Sequence, residues 1–219
     1  MSKTAQWVID YCNQIINDDG ARWGNSWLTF INTGQLLIAD IFPAAVSITE
    51  PFLLDEGVDQ VCPDNATRFL GLVNNLGDDG FTNGDIITIC DVNSLSVFSP
   101  GWMAATPSSK VENYIFNENE PTNFKVYPPV APDAIVYVGL QYAVAPKECT
   151  NNTSELGVPD RFAVALAEFC LHAALSSETD VRDPNKADRH LTTFFNLMGV
   201  KEANKGKYSP NVQATELKQ

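Results

Sequence analysis

Along the first sixteen residues the apolar positions Trp7, Val8, Tyr11, Cys12 and Ile15 recur at i, i+1, i+4, i+5 and i+8. That spacing predicts one face of a helix over residues 4–16, ended by Asp18, Asp19 and Gly20. Ser26 is the expected cap of a second helix through Trp27, Leu28, Phe30 and Ile31, and a third stretch over 35–42 stops at Pro43, where proline cannot continue the pattern. After Pro43 the period changes. Val46, Ile48, Phe52 and Leu54 alternate around Pro51, and 86–90 is a β-branched run introduced by the turn-forming Gly77-Asp78-Asp79-Gly80 and Asn83-Gly84-Asp85. Residues 68–73 fit strand or helix equally, since six residues do not fix a period. Asn93 or Ser94 is the expected cap of a single turn that breaks at Pro100, Gly101 and Trp102. Strands at 114–116, 124–127 and 134–144, separated by a polar turn and the Pro128-Pro129 break, complete the prediction of an antiparallel meander.

The helical period returns between Asp160 and Ser177. Phe162, Leu166, Phe169 and Ala173 form one apolar row and Val164, Leu171 and Leu175 another, leaving a narrow polar stripe of Arg161, Glu168, His172 and Ser176. A helix apolar around most of its circumference is covered on more than one side. It is therefore either the central helix of the domain or a helix with one face on a neighbouring subunit. Asp183 followed by Pro184 starts a last helix with Ala187, Leu191, Phe194, Phe195 and Met198, expected to close at Gly199. Residues 200–219 have no period, four lysines and a Ser209-Pro210 break, and are expected to form a flexible arm. The fold class predicted is α+β: a helical bundle of N- and C-terminal helices with a central antiparallel β insertion. The expected divisions are 1–45, 46–150, 151–199 and the arm 200–219.

Length and composition agree with a globular chain: 219 residues, 44% hydrophobic and 19% charged. No apolar run approaches the ~18 residues of a membrane span, and the N-terminal residues lack the apolar stretch of a signal peptide, so a soluble, cytoplasmically made protein is expected. Five widely spaced cysteines without a Cys-x-x-Cys pair argue against a disulfide framework and a zinc site. Charge is distributed unevenly. Residues 1–160 hold 6 Lys+Arg and 20 Asp+Glu, whereas 161–219 hold 8 and 7. No basic stripe offers phosphate neutralisation, which excludes ordinary nucleic-acid recognition. An acidic surface is nevertheless suited to a passage through which a polyanion must slide without sticking.

Candidates for chemistry are few. There is no nucleophile elbow, His-Glu-x-x-His, dinucleotide fingerprint or P-loop, so no enzyme and no cofactor is expected. The two histidines, His172 and His190, lie in the C-terminal helices, where solvated or hydrogen-bonded structural roles, rather than catalysis, are expected. The loop 78–85 supplies oxygen ligands on a glycine turn but fails the calcium template, because Phe81 and Cys90 fall on ligand positions; it reads as an acidic hairpin turn. Glu118 and Glu120 stand two apart in a polar turn, an arrangement that suits solvated carboxylates better than a glycosidase pair. The four tryptophans read as core.

Several local patterns together resemble the head-to-tail adaptor, or connector, proteins of short-tailed bacteriophages. They are Trp27-Leu28 with Asn32-Thr33-Gly34-Gln35 and Phe42-Pro43-Ala44; Gly57-Val58-Asp59-Gln60 with Cys62-Pro63; Pro100-Gly101-Trp102; Tyr114-Ile115-Phe116-Asn117 with Glu120-Pro121; Phe124-Lys125-Val126-Tyr127-Pro128-Pro129; and the strand 135–142 ending in Ala145-Pro146, followed by the closing helices with Asp180 between them. The resemblance spans about residues 20–200. It implies a virion neck protein, non-enzymatic, forming a ring of twelve copies under the portal protein and a platform for the tail tube or nozzle, with genomic DNA passing non-specifically through its channel. On this reading Arg161, Glu168 and His172 contact a neighbouring subunit or the channel, and Lys205, Lys207 and Tyr208 reach the portal. The alternative is a carbohydrate- or receptor-binding module of a virion, which predicts an exposed aromatic cluster beside a groove.

Overall fold

The computed structural model describes residues 2–17, 22–177 and 182–205, with only the backbone described for 200–205. The elements in chain order are α1 (Ala5–Ile16), α2 (Ser26–Ile41), β1 (Ser47–Leu53), β2 (Gly57–Val61), β3 (Ala66–Leu76), β4 (Asn83–Ile86), β5 (Thr88–Ile89), α3 (Val92–Phe98), β6 (Asn113–Phe116), β7 (Asn123–Val130), β8 (Tyr137–Val144), α4 (Ala163–Ser176) and α5 (Pro184–Lys205). They form two compact units, one of Met1–Val46 with Ala145–Lys205 and one of residues 47–144.

In the helical unit α4 is the centre. Nine of its residues are buried, and α1, α2 and α5 all pack on it. α2 is one continuous helix where two were expected. The Asn32-Thr33-Gly34 sequence looks like a break, yet Gly34 lies tight against α4: a Cβ there would stand 2.5 Å from Leu166 Cδ1 and 2.8 Å from Phe169 Cδ1. Ser26 is not a cap; the chain enters α2 through a turn in which the Ser26 N–H bonds the Trp23 carbonyl at 2.7 Å. α1 ends at Asn17, in the left-handed conformation with φ 53°, and the expected stop at Asp18, Asp19 and Gly20 lies outside the described residues, as does Asp180. Asp183 caps α5 as the sequence indicates, its Oδ1 accepting from the Lys186 N–H at 3.1 Å. That bond holds the Asp183 carboxyl below its ordinary range. α5 does not close at Gly199 but runs on to Lys205, since one interior glycine costs only about 1 kcal/mol against alanine and does not by itself end a helix.

The β unit corrects the expected fold. A helical bundle with a single antiparallel meander inserted is not what forms; among the described residues the fold is α+β with five α-helices and two four-stranded sheets, ordered β1-β8-β3-β4 and β2-β7-β6-β5. α3 lies among the strands, and β5 pairs with β6 in parallel. The order is non-local because β8 returns between β1 and β3, pairing Phe52 with Val138 on one side and Leu72 with Leu140 on the other. The ambiguous 68–73 stretch belongs to β3, and β2 was not anticipated. β7 runs through Pro128 and Pro129. Its pairing with β6 ends at Tyr127 and its pairing with β2 resumes at Val130, so the prolines occupy an irregular stretch of the ladder where no N–H is required. α3 is capped by Asp91, not Asn93 or Ser94, which instead donate their backbone N–H groups to Asp91 Oδ1 at 3.1 and 2.9 Å.

The inward faces of both sheets meet in one core around Phe69, which stacks on Phe124 with ring centroids 4.4 Å apart and meets Phe116 and Tyr114 at 5.2 and 5.4 Å. A separate small cluster of Leu95, Trp102 and Ile115 fastens α3 and the turn after it to β6.

Candidate interaction surfaces

The polar stripe expected on α4 is not presented as one surface. Glu168 is 8% exposed and its Oε2 lies 2.7 Å from Nδ1 of His190 on α5. One turn further on, His172 Nδ1 donates to the Ala187 carbonyl at 3.0 Å. A buried carboxylate needs a partner, and a second helix supplies one. Both residues therefore fasten α5 onto α4. Arg161 lies in the 3₁₀ turn before α4 and is exposed, its guanidinium over the rings of Phe162 and Phe42 at 4.9 and 5.7 Å from their centroids. Lys205 is the last residue of α5, and Lys207 and Tyr208 lie outside the described residues.

The buried and half-buried polar groups that sequence reasoning missed are carboxamides. Asn32 accepts from the Cys149 N–H at 2.8 Å and donates to the Cys149 carbonyl at 3.1 Å. Gln60 makes the same two-way pair with Asp55 (2.8 and 2.8 Å), and Asn75 with Val111 (2.9 and 2.6 Å). A side-chain amide carries the donor and acceptor of a peptide group, so each can pair with a loop residue as a strand neighbour would. Gln35, 1% exposed, bonds the loop and its own helix: it accepts from the Gly157 N–H and donates toward Asn32 Oδ1 on α2 and the Lys147 carbonyl at 3.3 and 3.4 Å. The signal for Gln35 was present in the sequence, as a polar residue on the apolar face that carries Ile31 and Ile38.

On the β unit the expected hairpin turn forms over residues 77–82, while Asn83, Gly84 and Asp85 already belong to β4. Asp79 Oδ1 accepts from Phe81 N and Thr82 N, both at 2.9 Å, and Oδ2 from the Thr82 hydroxyl at 2.7 Å. These bonds, the Thr82 N–H foremost, hold the Asp79 carboxyl down at about 2 and commit its oxygens to the turn. Glu118 pairs with Arg68 at 3.6 Å, and Glu120 lies beside Asn123 at 3.5 Å. Both border a groove of about 820 Å³ whose other charged groups are Asp59, Asp91 and Lys125, the last ion-paired with Asp59. Among the described residues no group of three or more His, Cys, Asp or Glu is placed to hold a metal ion.

All five thiols are free. Burial pushes Cys62 up to about 12 and raises Cys12, Cys149 and Cys170, whereas Cys90 is half-buried, raised by that burial and by neighbouring Asp91. Iodoacetamide at mildly alkaline pH is therefore expected to alkylate Cys90 well before the other four, which become reactive on unfolding. Peptide mass spectrometry over a time course reads this directly, and early labelling of Cys62 or Cys170 would contradict the packing described. Of the tryptophans, Trp23, Trp27 and Trp102 are buried; Trp7 is half-buried, stacked on Tyr11 at 5.4 Å with Lys3 Nζ 3.2 Å from its ring centroid.

Compared with known proteins, the chain matches a family model described as SU10 adaptor protein over residues 3–214, a span that includes both units. No curated protein matches it.

Proposed function

The chain belongs to the SU10 adaptor protein family, a structural virion family of bacteriophage adaptors, and from that membership we propose that it is the head-to-tail adaptor at the neck of its particle. The family match over nearly the whole chain carries this reading. In its finer form, twelve copies form a ring under the portal and offer a platform to the tail, with DNA passing through the channel. The charge of the chain supports a conduit: a net −13 repels the phosphate backbone. No helix among the described residues is long and apolar enough to cross a membrane.

Arg161, exposed at the head of α4, is the proposed contact with a neighbouring copy; Glu168 and His172 serve that contact by holding α5 in place. Lys205, Lys207 and Tyr208 are the proposed portal contacts. Because α5 continues to Lys205, the arm is best removed after that residue. Purified protein mixed with the portal ring of the same virus is expected to add a ring of density to one end of the portal in electron micrographs. The chain cut after Lys205 is expected to keep its circular dichroism and lose about tenfold or more in portal affinity. Clean separation of the full chain from the portal over a range of salt would overturn the adaptor reading, and equal affinity with and without residues 206–219 would overturn the role of the arm.

A further inference from the structure

α3 is a short helix held at both ends. Asp91 caps its start, while Leu95 and, just beyond it, Trp102 are buried with Ile115 on β6. The Ser99 N–H bonds the Leu95 carbonyl at 2.8 Å and the Trp102 N–H bonds the Ser99 carbonyl at 3.0 Å, which tightens the turn between them. On this fixed backbone Phe98 is 88% exposed, Val97 74% and Met103 55%. Large apolar side chains held out into water by an ordered backbone are what a protein–protein anchor requires, because the partner then meets a surface that needs little further ordering. The start of α3 has a different character. Asp91 and Val92 border the groove of about 820 Å³ that also carries Asp59, Glu118 and Glu120, with Lys125 ion-paired to Asp59 and Arg68 to Glu118. Seven helical residues span about 10 Å, so the apolar ridge and the acidic groove are neighbours.

We propose that this ridge, with the acidic groove beside it, docks a tail component whose contact face is apolar and rimmed by basic residues. The inference rests on the adaptor reading and names the partner of one surface. Charge selects the partner's chemistry. Residues 47–144 hold 3 Lys+Arg against 13 Asp+Glu, and no Lys or Arg occurs between Arg68 and Lys110. A second copy presenting the same ridge would bring two such acidic faces together. Like charge opposes that contact, and a basic rim favours it. On the function proposed above, the portal meets the C-terminal arm.

The experiment uses the full chain, the portal ring and the purified tail components of the same virus. Val97→Ser combined with Phe98→Ser removes the anchors and, both residues being exposed, is expected to leave the melting temperature unchanged. The double variant should bind its tail component about tenfold or more weakly, with portal binding intact. Glu120→Lys, at the groove, should weaken the same binding a few-fold, and added salt should weaken it in the wild type. Wild-type strength in the double variant overturns the docking ridge alone. Loss of portal binding instead of tail binding, or a self-association that the double variant abolishes, assigns the ridge to another partner and overturns it too. A wild-type chain that binds neither portal nor tail component overturns the adaptor reading along with it.

Discussion

Gly157→Ala is expected to destabilise the helical unit by about 3 kcal/mol or more. A Cβ at this position would stand 2.6 Å from Lys147 N and 3.1 Å from Pro146 C, and closer still to the Lys147 carbonyl oxygen. All three are backbone atoms, so no side-chain rotation makes room; the two strands of loop must part. The loop they belong to is tied to the rest of the unit at several points. The Ala5 and Gln6 N–H groups bond the Ser154 and Asn152 carbonyls at 2.9 and 2.7 Å, the Leu156 N–H bonds the Lys3 carbonyl at 3.1 Å, and Asn32 holds Cys149. Parting the loop at Gly157 therefore strains the start of α1 and the middle of α2 together. At roughly 2–4 °C per kcal/mol for a chain of this size, the melting temperature should fall by about 6–12 °C. Trp7, Trp23 and Trp27 all lie in the helical unit, so tryptophan fluorescence reports mainly on it, with Trp102 in the other unit as the exception. A Gly157→Ala protein within about 0.5 kcal/mol of wild type would show that the loop opens at little cost and that the contact is not limiting.

Gly157 had no sequence signal, and the reason is general to what was and was not legible here. Local rules worked where the determinant is local. Asp183-Pro184 specified the start of α5, and the alternation of Val46, Ile48, Phe52 and Leu54 pointed to a strand where β1 forms. They failed where the determinant is a distant partner. Asn32-Thr33-Gly34-Gln35 reads as a helix break and is part of an unbroken helix, because Gly34 admits Leu166 and Phe169 while Asn32 and Gln35 bond a loop more than a hundred residues away. The strand order was illegible for the same reason: that β8 lies between β1 and β3 is a fact of pairing, not of period. The polar stripe on α4 was legible as polar but not in its direction. A helical period reports that Glu168 and His172 share a face; it does not report whether water, a neighbouring copy or His190 and Ala187 on α5 meet that face.

Gln35→Leu is expected to cost about 2–4 kcal/mol, even though leucine suits the apolar face of α2. The loss comes from what remains. The Gly157 N–H loses its acceptor and the Lys147 carbonyl its amide donor, in a site the side chain itself had sealed from water. Each buried group left unsatisfied costs about 1–3 kcal/mol, which a few added apolar contacts offset only in part. Gln35→Glu separates this account from one based on shape. Glutamate has nearly the same volume and still accepts from Gly157, but when ionised it donates nothing to Asn32 Oδ1 or the Lys147 carbonyl and places a charge where Gln35 was 1% exposed. Burial raises such a carboxyl above its unfolded value, so the folded state binds the proton more tightly than the unfolded one. Stability relative to wild type should then fall as pH rises from the ordinary glutamate value of about 4.3 through the raised folded value, and recover on acidification below that range, where the protonated acid donates again. Urea midpoints of the wild type and both variants between mildly acidic and neutral pH make the comparison. A pH-independent loss in Gln35→Glu equal to that in Gln35→Leu would mean that packing, and not the pairing of the amide with the loop, holds residues 145–158 on α2.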